Sequence, residues 1–482
     1  MFHREKHIGS VPAIPSTSIS HSRIGLGFEK LDRGVFNPEK AYDKVGALGV
    51  KWIRIQSGWA RTERTKGVYH WGWLDAIVDN LRSRGLVPWM CLCYGNALYD
   101  AEAATRFWGL GCPPVVTPEQ LAAWKAYVTA TVRHFAGRVT WWEVWNEPDC
   151  DYAWRFKCDP QEYALLCRET AAAIREADPE AKVIGGSFAF ARMDFVEPLL
   201  QAGFAQWCDA VTYHVYSSDE TYDDERVENL RAMLARHRPG GLPIIQGEGG
   251  CQSSPDGCGA LRGQMLTPLK QANSLARHFV SQLAQDLMFV SFFSCMDMAE
   301  AQNGKIGEGY RDFGYFGVLG ADFDADGVAT GEYTPKPSYR TLQVIAAIFQ
   351  GDFAPERLPV ESLPENDGRY GGGYWNTPLE ECFSKGFRRP SGAAAFVYWK
   401  RGNLLRERFE GSVSLRFGEV PADRVRLIDL LDGAIYEPSP EQMEITCAPG
   451  GAPIIHFHSI PLLDSPVLIE FGEFLEACVS KS

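Results

Sequence analysis

The sequence predicts an α/β fold: a (β/α)8 TIM-type barrel followed by a C-terminal antiparallel β-sandwich-like domain. Three observations predict it. Between residues 21 and 350, short runs of β-branched and aromatic residues alternate eight times with amphipathic helical runs, which implies parallel strands joined by right-handed crossovers. The first strand leads into "LGFEKLDRG", which is not the Gly-rich phosphate loop of an open doubly wound sheet. Beyond residue 351 helical periodicity stops, and Pro/Gly-rich sequence gives way to short strand candidates.

The elements follow in order. "RIGLGFEK" (23–30) reads as a strand and "NPEKAYDKVGALG" (37–49) as a helix stopped by Gly. "VKWIRIQ" (50–56) and the helix "WLDAIVDNLRSRG" (73–85) form the second pair. The third strand, "LVPWMCLCY" (86–94), leads to "TPEQLAAWKAYVTATVRHFAG" (117–137), with Thr117 as N-cap, Pro118 as first helical residue and Gly137 at the stop. The fourth strand, "VTWWEVWNEP", precedes "DPQEYALLCRETAAAIREADPE". "KVIGGSFA", "CDAVTYHVY" and "PIIQGEGG" are strands five to seven, each followed by a helical run. "LMFVSFFSCMD" and "KPSYRTLQVIAAIFQ" (336–350) complete the eighth pair. A barrel over 21–350 and a small β-domain over 351–482, joined by residues 1–20, is the expected division. "GDFAPERLPVESLPENDGRYGGGYW" reads as a linker or long loop before the β-domain strands.

Composition sets bounds on function. The net charge is −13 over 482 residues, with no Lys/Arg cluster, which argues against nucleic acid and anionic membrane as partners. No run of about 20 apolar residues suggests a membrane span, and the N-terminus lacks the apolar stretch of a signal peptide. A cytoplasmic location is therefore expected, and the 13 scattered Cys read as reduced, buried thiols. "CLC" and "CQSSPDGC" lack a second pair and nearby His at zinc spacing, so no metal or cofactor is expected. The barrel flank and β-domain offer surface for a homo-oligomeric contact.

Barrel active sites lie at the C-terminal ends of the strands. There the sequence places Asn146 and Glu147 (strand four), Glu248 (strand seven), His214 and Tyr216 (strand six), Arg54 (strand two), and Tyr94 and Asn96 (strand three). Two carboxylates facing across one mouth are what glycoside hydrolysis needs: one protonates the departing oxygen, the other attacks the anomeric carbon or activates water. Their pKa values must be pushed apart. Arg54 would keep one ionised, Tyr216 would donate to it, and Asn146 would bind the sugar 2-OH. Each residue has a bland alternative: Glu248 as a turn residue, His214 as a hydrogen-bonded core residue, Glu147 as a strand terminator before Pro148. Glu143, on the same strand face as Glu147, is a rival; it reads as deeper and paired with Arg54, since a buried Glu needs a partner. Trp59, Trp71, Trp73 and Trp108 on the loops after strands two and three are expected to close a pocket. Asp322, Asp324, Asp326 and Gly327 have calcium-loop spacing, but Glu332 comes one residue early and no helix pair flanks them; a solvated turn is expected.

These motifs resemble a known group. "WEVWNEPD", "IIQGEGG" about 100 residues later and "YHVY" resemble the acid/base, nucleophile and strand-six motifs of the clan A retaining glycoside hydrolases. "GVKWIRIQSGWARTERTKGVYHWGWLDAIVDNLRSRGLVPWMCLCYGN" and "PKPSYRTLQ" are most similar to glycoside hydrolase family 39, the β-xylosidase type, with family 5 the near rival. The resemblance covers roughly residues 23–350. It implies Glu147 as acid/base, Glu248 as nucleophile and a carboxyl separation of about 5–5.5 Å. The clan's Trp at the end of strand eight is replaced by "SFFSCMDM", so Phe293, or the loop residues Tyr310 or Tyr315, must floor the sugar. The expected activity is a retaining exo-β-glycosidase acting on small oligosaccharides or glycosides, xyloside first. An endo-glycanase, a transglycosylase and a non-catalytic glycan-binding protein are the alternatives.

Overall fold

The computed structural model describes residues 2–106, 109–155, 157–300, 313–364, 369–370, 382–402, 404 and 409–475. Eight parallel strands close into a barrel: β1 (Ile24–Gly27), β2 (Trp52–Gln56), β3 (Val87–Leu92), β4 (Trp141–Val144), β5 (Lys182–Phe188), β6 (Ala210–Val215), β7 (Ile244–Gly249) and β8 (Val290–Phe292). Each pairs with its sequence neighbours, and β8 returns to β1. The outer helices are α1 (Tyr42–Gly46), α2 (Gly72–Ser83), α3 (Pro118–Phe135), α4 (Pro160–Ala177), α5 (Met193–Gln201), α6 (Asp224–His237), α7 (Pro268–Leu283) and α8 (Pro337–Ile348). Four of them start with Pro, where its missing N–H and fixed φ cost nothing. Thr117, Asp159 and Thr267 cap three of these through side-chain oxygens that accept backbone N–H groups of the first turn.

The barrel interior is sorted along its axis. At the N-terminal end Trp89, Ile184, Ala210, Ile245 and Phe289 form an apolar plug with Trp52 and Trp141, and Trp52 stacks on Phe289 with centroids 4.4 Å apart. Alternation then turns Arg54, two residues after Trp52, and Glu143, two after Trp141, into the same interior nearer the C-terminal end. Register breaks between Gly186 and Phe188 in β5 and between Gln246 and Glu248 in β7. The second break sets Glu248 beside His214. Such irregularities re-aim side chains at barrel rims.

Two antiparallel sheets complete the fold. One has seven strands, running from Lys6–Ser10 through Ala434–Glu437, Arg426–Asp429, Val467–Phe471, Ala394–Lys400 and Cys382–Arg388 to Ala354–Pro355. The other runs Val360–Pro364, Phe409–Gly418, Pro453–Leu463, Met443–Cys447, with Arg369–Tyr370 also on Phe409–Gly418. In strand Ala394–Lys400, Phe396 and Tyr398 face the second sheet while Ala395, Val397 and Trp399 join the barrel-side core. Trp399 Nε1 donates to Glu220 at 2.7 Å, and Arg277 Nε donates to the Asp464 carbonyl at 2.7 Å.

Three expectations need correction. The fourth strand stops at Val144, so Glu147 owes its position to the turn after the strand and not to strand alternation. The stretch read as a linker contains strands Ala354–Pro355 and Val360–Pro364; residues 365–368 and 371–375 of it lie outside the described residues. Leu319–Phe323 and Ala329–Pro335 form an antiparallel hairpin where only a turn was expected. In that turn the Asp324 carboxylate accepts from the N–H groups of Asp326 and Val328, both at 2.9 Å, which accounts for Asp at this spacing by turn chemistry.

Candidate active site

The central piece is Arg54, fully buried on β2. Its Nε donates to Glu143 Oε2 at 3.1 Å and its Nη2 to Glu143 Oε1. Nη2 also reaches Asn146 Oδ1 at 2.8 Å, while Nη1 donates to Glu29 Oε2 at 3.0 Å and to Glu248 Oε2 at 2.5 Å. One guanidinium thus bonds to three buried carboxyls, which its planar fork suits better than an ammonium. Glu143 additionally accepts from Trp89 Nε1 at 2.9 Å and Ser187 Oγ at 2.6 Å. Burial pushes the Glu143 carboxyl up, but Arg54 and these donors win and hold it below its ordinary value.

Glu147 and Glu248 face each other above this base. An oxygen of each and a His214 nitrogen lie within 4.8 Å of one another. Tyr216 donates its hydroxyl proton to Glu248 Oε1 at 2.7 Å. Burial would raise the Glu248 carboxyl; the His214 and Arg54 charges, the Tyr216 hydrogen bond and Lys30 outweigh it and lower it. Burial would lower the His214 imidazole, but Glu248 and the hydrogen bond to Glu147 raise it.

The proton inventory around His214 is constrained. Ser187 Oγ has one proton and gives it to the Glu143 carboxylate, so it must accept from His214 Nε2, 3.1 Å away. His214 Nδ1 sits 3.0 Å from Glu147 Oε1. That contact is a hydrogen bond only if a proton lies between the two, on the imidazole or on the carboxyl. The backbone here is unusual: Trp145 (φ 67°), Glu147 (φ 51°) and Ser187 (φ 52°) occupy the left-handed region without being Gly, a strain that clusters at functional sites. The Glu147 N–H is anchored on the Ser187 carbonyl at 2.9 Å.

The cleft above these groups has a volume of about 450 Å³, and Tyr94, Asn146, Tyr216 and Phe293 line it with both glutamates. Sequence reading missed Glu29, Ser187, Gln56, Tyr152 and Phe316. Glu29 follows β1, and its carboxyl is raised to about 7, chiefly by burial against the opposing pull of Arg54. A side chain at position 27 would press on it, since a Cβ there would stand 2.8 Å from Glu29 Oε1; Gly27 leaves the room. Phe293, Phe316 and Tyr216 form an edge-on aromatic cluster with centroids 5.5–6.4 Å apart.

Other expected residues lie elsewhere. Trp59 is a core residue: its Nε1 donates to Glu63 at 2.6 Å and its ring stacks on Tyr99 and Tyr127. Asn96 ties loops together, donating to the Glu63 carbonyl at 2.8 Å and accepting from Leu98 N at 2.9 Å; neither lines the cleft. Trp71 stacks on His134 and Trp73 lies under Arg61, both away from the mouth. Tyr315 contributes its carbonyl to Ser253 and stays outside the cleft, where its neighbour Phe316 stands. Tyr310 and Trp108 lie outside the described residues. Glu147, His214 and Glu248 have the donor types of a metal site, but a divalent cation there would meet the Arg54 guanidinium on the same Glu248 oxygen. A second donor group, Asp100 and Glu102 with Cys112, already holds Arg155, at 2.7 and 2.6 Å from the two carboxylates.

The barrel with paired carboxylates at its C-terminal mouth and the family match together define the class, a glycoside hydrolase. Residues 41–236 match the model of glycosyl hydrolases family 39, the family that the motifs resembled. The match includes Arg54, Glu147, His214 and Tyr216 and ends before Glu248. No curated protein matches the chain. Among solved structures, a family 39 glycoside hydrolase from Bacteroides cellulosilyticus WH2 is 18% identical, with a TM-score of 0.65 over 96% of this chain and 83% of that one. The family 39 enzyme of Xanthomonas axonopodis pv. citri is 18% identical, TM-score 0.58, over 96% and 98%. A monomeric beta-xylosidase from Caulobacter crescentus CB15 is 18% identical, TM-score 0.57, over 97% of each chain. At these identities the likeness speaks for the fold. Among the described residues no helix is long and apolar enough to cross a membrane.

Proposed function

We propose that the protein is a retaining exo-β-glycosidase that removes a terminal sugar from small glycosides, with a β-xyloside as the first substrate to try. The observation that carries this reading is the approach of a Glu147 oxygen to within 4.8 Å of a Glu248 oxygen. An approach this close is in keeping with the closely set carboxyls of retaining enzymes, against the wider pair of inverting ones.

In this mechanism Glu248, held ionised by Arg54 and Tyr216, attacks the anomeric carbon. The bond to the leaving oxygen breaks, and that oxygen takes a proton from Glu147. The product is a glycosyl ester on Glu248. A water then gives its proton to Glu147 as its oxygen attacks the same carbon, releasing the sugar with its original configuration and freeing Glu248. Asn146, fixed by Arg54, is placed to meet the sugar 2-OH. Phe293 and Phe316 supply the apolar wall where the clan's Trp usually stands. The cleft volume is in the range of pockets that enclose one small ligand, in keeping with exo-action. The xyloside assignment rests on the motif resemblance.

The test is a panel of aryl α- and β-glycosides with product anomers followed by NMR. Turnover of one β-glycoside with the β-anomer appearing first is expected. Initial release of the α-anomer would overturn the retaining mechanism.

A further inference from the structure

The mouth of the barrel continues beyond the carboxylates. Phe190, Tyr222 and Arg226 line the cleft and also a groove that runs outward over the loop before α5 and onto α6, with Met193 and the polar Arg192, Glu225 and Asn229. Phe190 is 49%, Met193 51% and Tyr222 57% exposed. Scattered exposed hydrophobics need no explanation; three together beside a reactive cleft do.

The two rings are also built into place. Asp149, two residues beyond Glu147 and fully buried, accepts backbone N–H bonds from Ala189 (2.7 Å), Phe190 (2.9 Å) and Ala191 (2.8 Å). Ala191 is held at φ 48°, a conformation that residues with a Cβ seldom adopt. The turn that carries Glu147 therefore clamps the loop that presents Phe190. On the opposite side Arg226 donates to the His214 carbonyl at 3.0 Å and lies over the Tyr222 ring at 5.0 Å. Both aromatic walls are fastened to the chain segments that position the acid and its histidine.

If Glu147 is the proton donor, the leaving oxygen must lie within hydrogen-bond reach of it, and the rest of the leaving group must project past it. We infer that Phe190, Tyr222 and Met193 form the leaving-group site, and that its occupant is an apolar, ring-bearing aglycone and not a second sugar. This deepens the proposed glycosidase reading and rests on it. The groove presents two rings, a thioether and aliphatic carbon, which suit a flat hydrophobic group. Its arginines are engaged: Arg192, half exposed, pairs with Asp194 at 3.3 Å, and Arg226 is bonded to the His214 carbonyl. Glu225 and Asn229 on the groove would suit the hydroxyls of a second sugar, the alternative that the disaccharide comparison tests.

The experiment compares kcat/KM for a glycosyl fluoride and the 2-naphthyl glycoside of the same sugar, in the parent and in Phe190→Ala and Tyr222→Ala. β-Xylosyl probes come first, then glucosyl, galactosyl and arabinosyl ones. Fluoride leaves as a single atom, so its rate reports the sugar site and Glu248 without the groove. The naphthyl-to-fluoride ratio is expected to fall about tenfold in each variant, and the parent is expected to prefer the naphthyl glycoside to the disaccharide of that sugar. An unchanged ratio, or a parent that prefers the disaccharide, overturns the leaving-group assignment while the two-glutamate reading stands. Absence of turnover with every fluoride removes both.

Discussion

In the β-sandwich, Phe417 meets Phe396, Phe471 and Phe457 with ring centroids 4.9, 4.9 and 5.9 Å apart, all buried. At the C-terminal end of the barrel an equally buried volume holds Arg54, Glu29, Glu143, Glu248 and His214. The first interior is stabilised by apolar area, and each side chain adds its share with little regard to direction. The second is stabilised only as a complete set, because an unpaired charge in such a place is costly. Loss of a group from the sandwich is graded, whereas loss of a group from the barrel mouth exposes the charge of its partners. The polar interior gives the fold less and the chemistry more: it sets two carboxyls at opposite tendencies a few ångströms apart, Glu29 raised and Glu248 lowered.

The sharpest way to break this contrast is at Glu248. Glu248→Gln should cut turnover by on the order of 10⁴-fold or more for every substrate while thermal melting shows a folded protein. Glu147→Gln should lose about 10²–10⁴-fold with poor leaving groups and far less with activated aryl ones, measured as kcat across a leaving-group series. Next in size, Arg54→Met should destabilise the fold by about 3–5 kcal/mol in denaturant titration, because Glu143 and Glu29 lose their counter-charge. A variant of near-normal stability would show that the carboxyls relax without it.

Glu29 sharpens the comparison through pH. Its carboxyl moves from 4.5 in the open chain to about 7 in the fold, so the folded state binds its proton more tightly. Its contribution is complete below about pH 4.5 and is lost as pH rises through 7, a change on the order of 3 kcal/mol. The loss of Tm between pH 5 and pH 8 should therefore shrink in Glu29→Gln; an unchanged Tm–pH slope would contradict the assignment. The smallest effect belongs to the sandwich: Phe417→Leu should cost about 1 kcal/mol and leave KM and kcat of the folded fraction as they were.

Much of the barrel was legible because periodicity reports burial. The eight strand–helix pairs, Thr117 with Pro118, and the β-domain strands all follow from side chains that alternate or recur at fixed spacing. The pairing of Glu143 with Arg54 was legible for a related reason, since a Glu between Trp142 and Val144 needs a partner. What periodicity does not report is the direction of a side chain beyond a strand end. Trp59 and Asn96 follow β2 and β3 closely in sequence, yet both turn toward Glu63 and serve the loop. Glu147 reaches the cleft through a left-handed turn that no strand pattern encodes. Glu29 and Ser187 escape a periodicity reading because one lies beyond its strand and the other is turned by a left-handed backbone at the β5 irregularity. The signal was there: a Glu two positions past an otherwise apolar strand, and a Ser in a strand that holds two glycines. The hairpin near Asp324 was hidden by its many charged residues, which turn chemistry explains after the fact.

The central claim is that Glu248 forms the bond to the sugar. The most direct measurement is to incubate the protein with the 2-deoxy-2-fluoro-β-glycoside of its preferred sugar bearing an activated leaving group, then locate the adduct by peptide mass spectrometry. A slowly released glycosyl ester on Glu248 is the result this account predicts. An adduct on Glu147, Glu143 or Glu29, or continued turnover with Glu248 unlabelled, would contradict it.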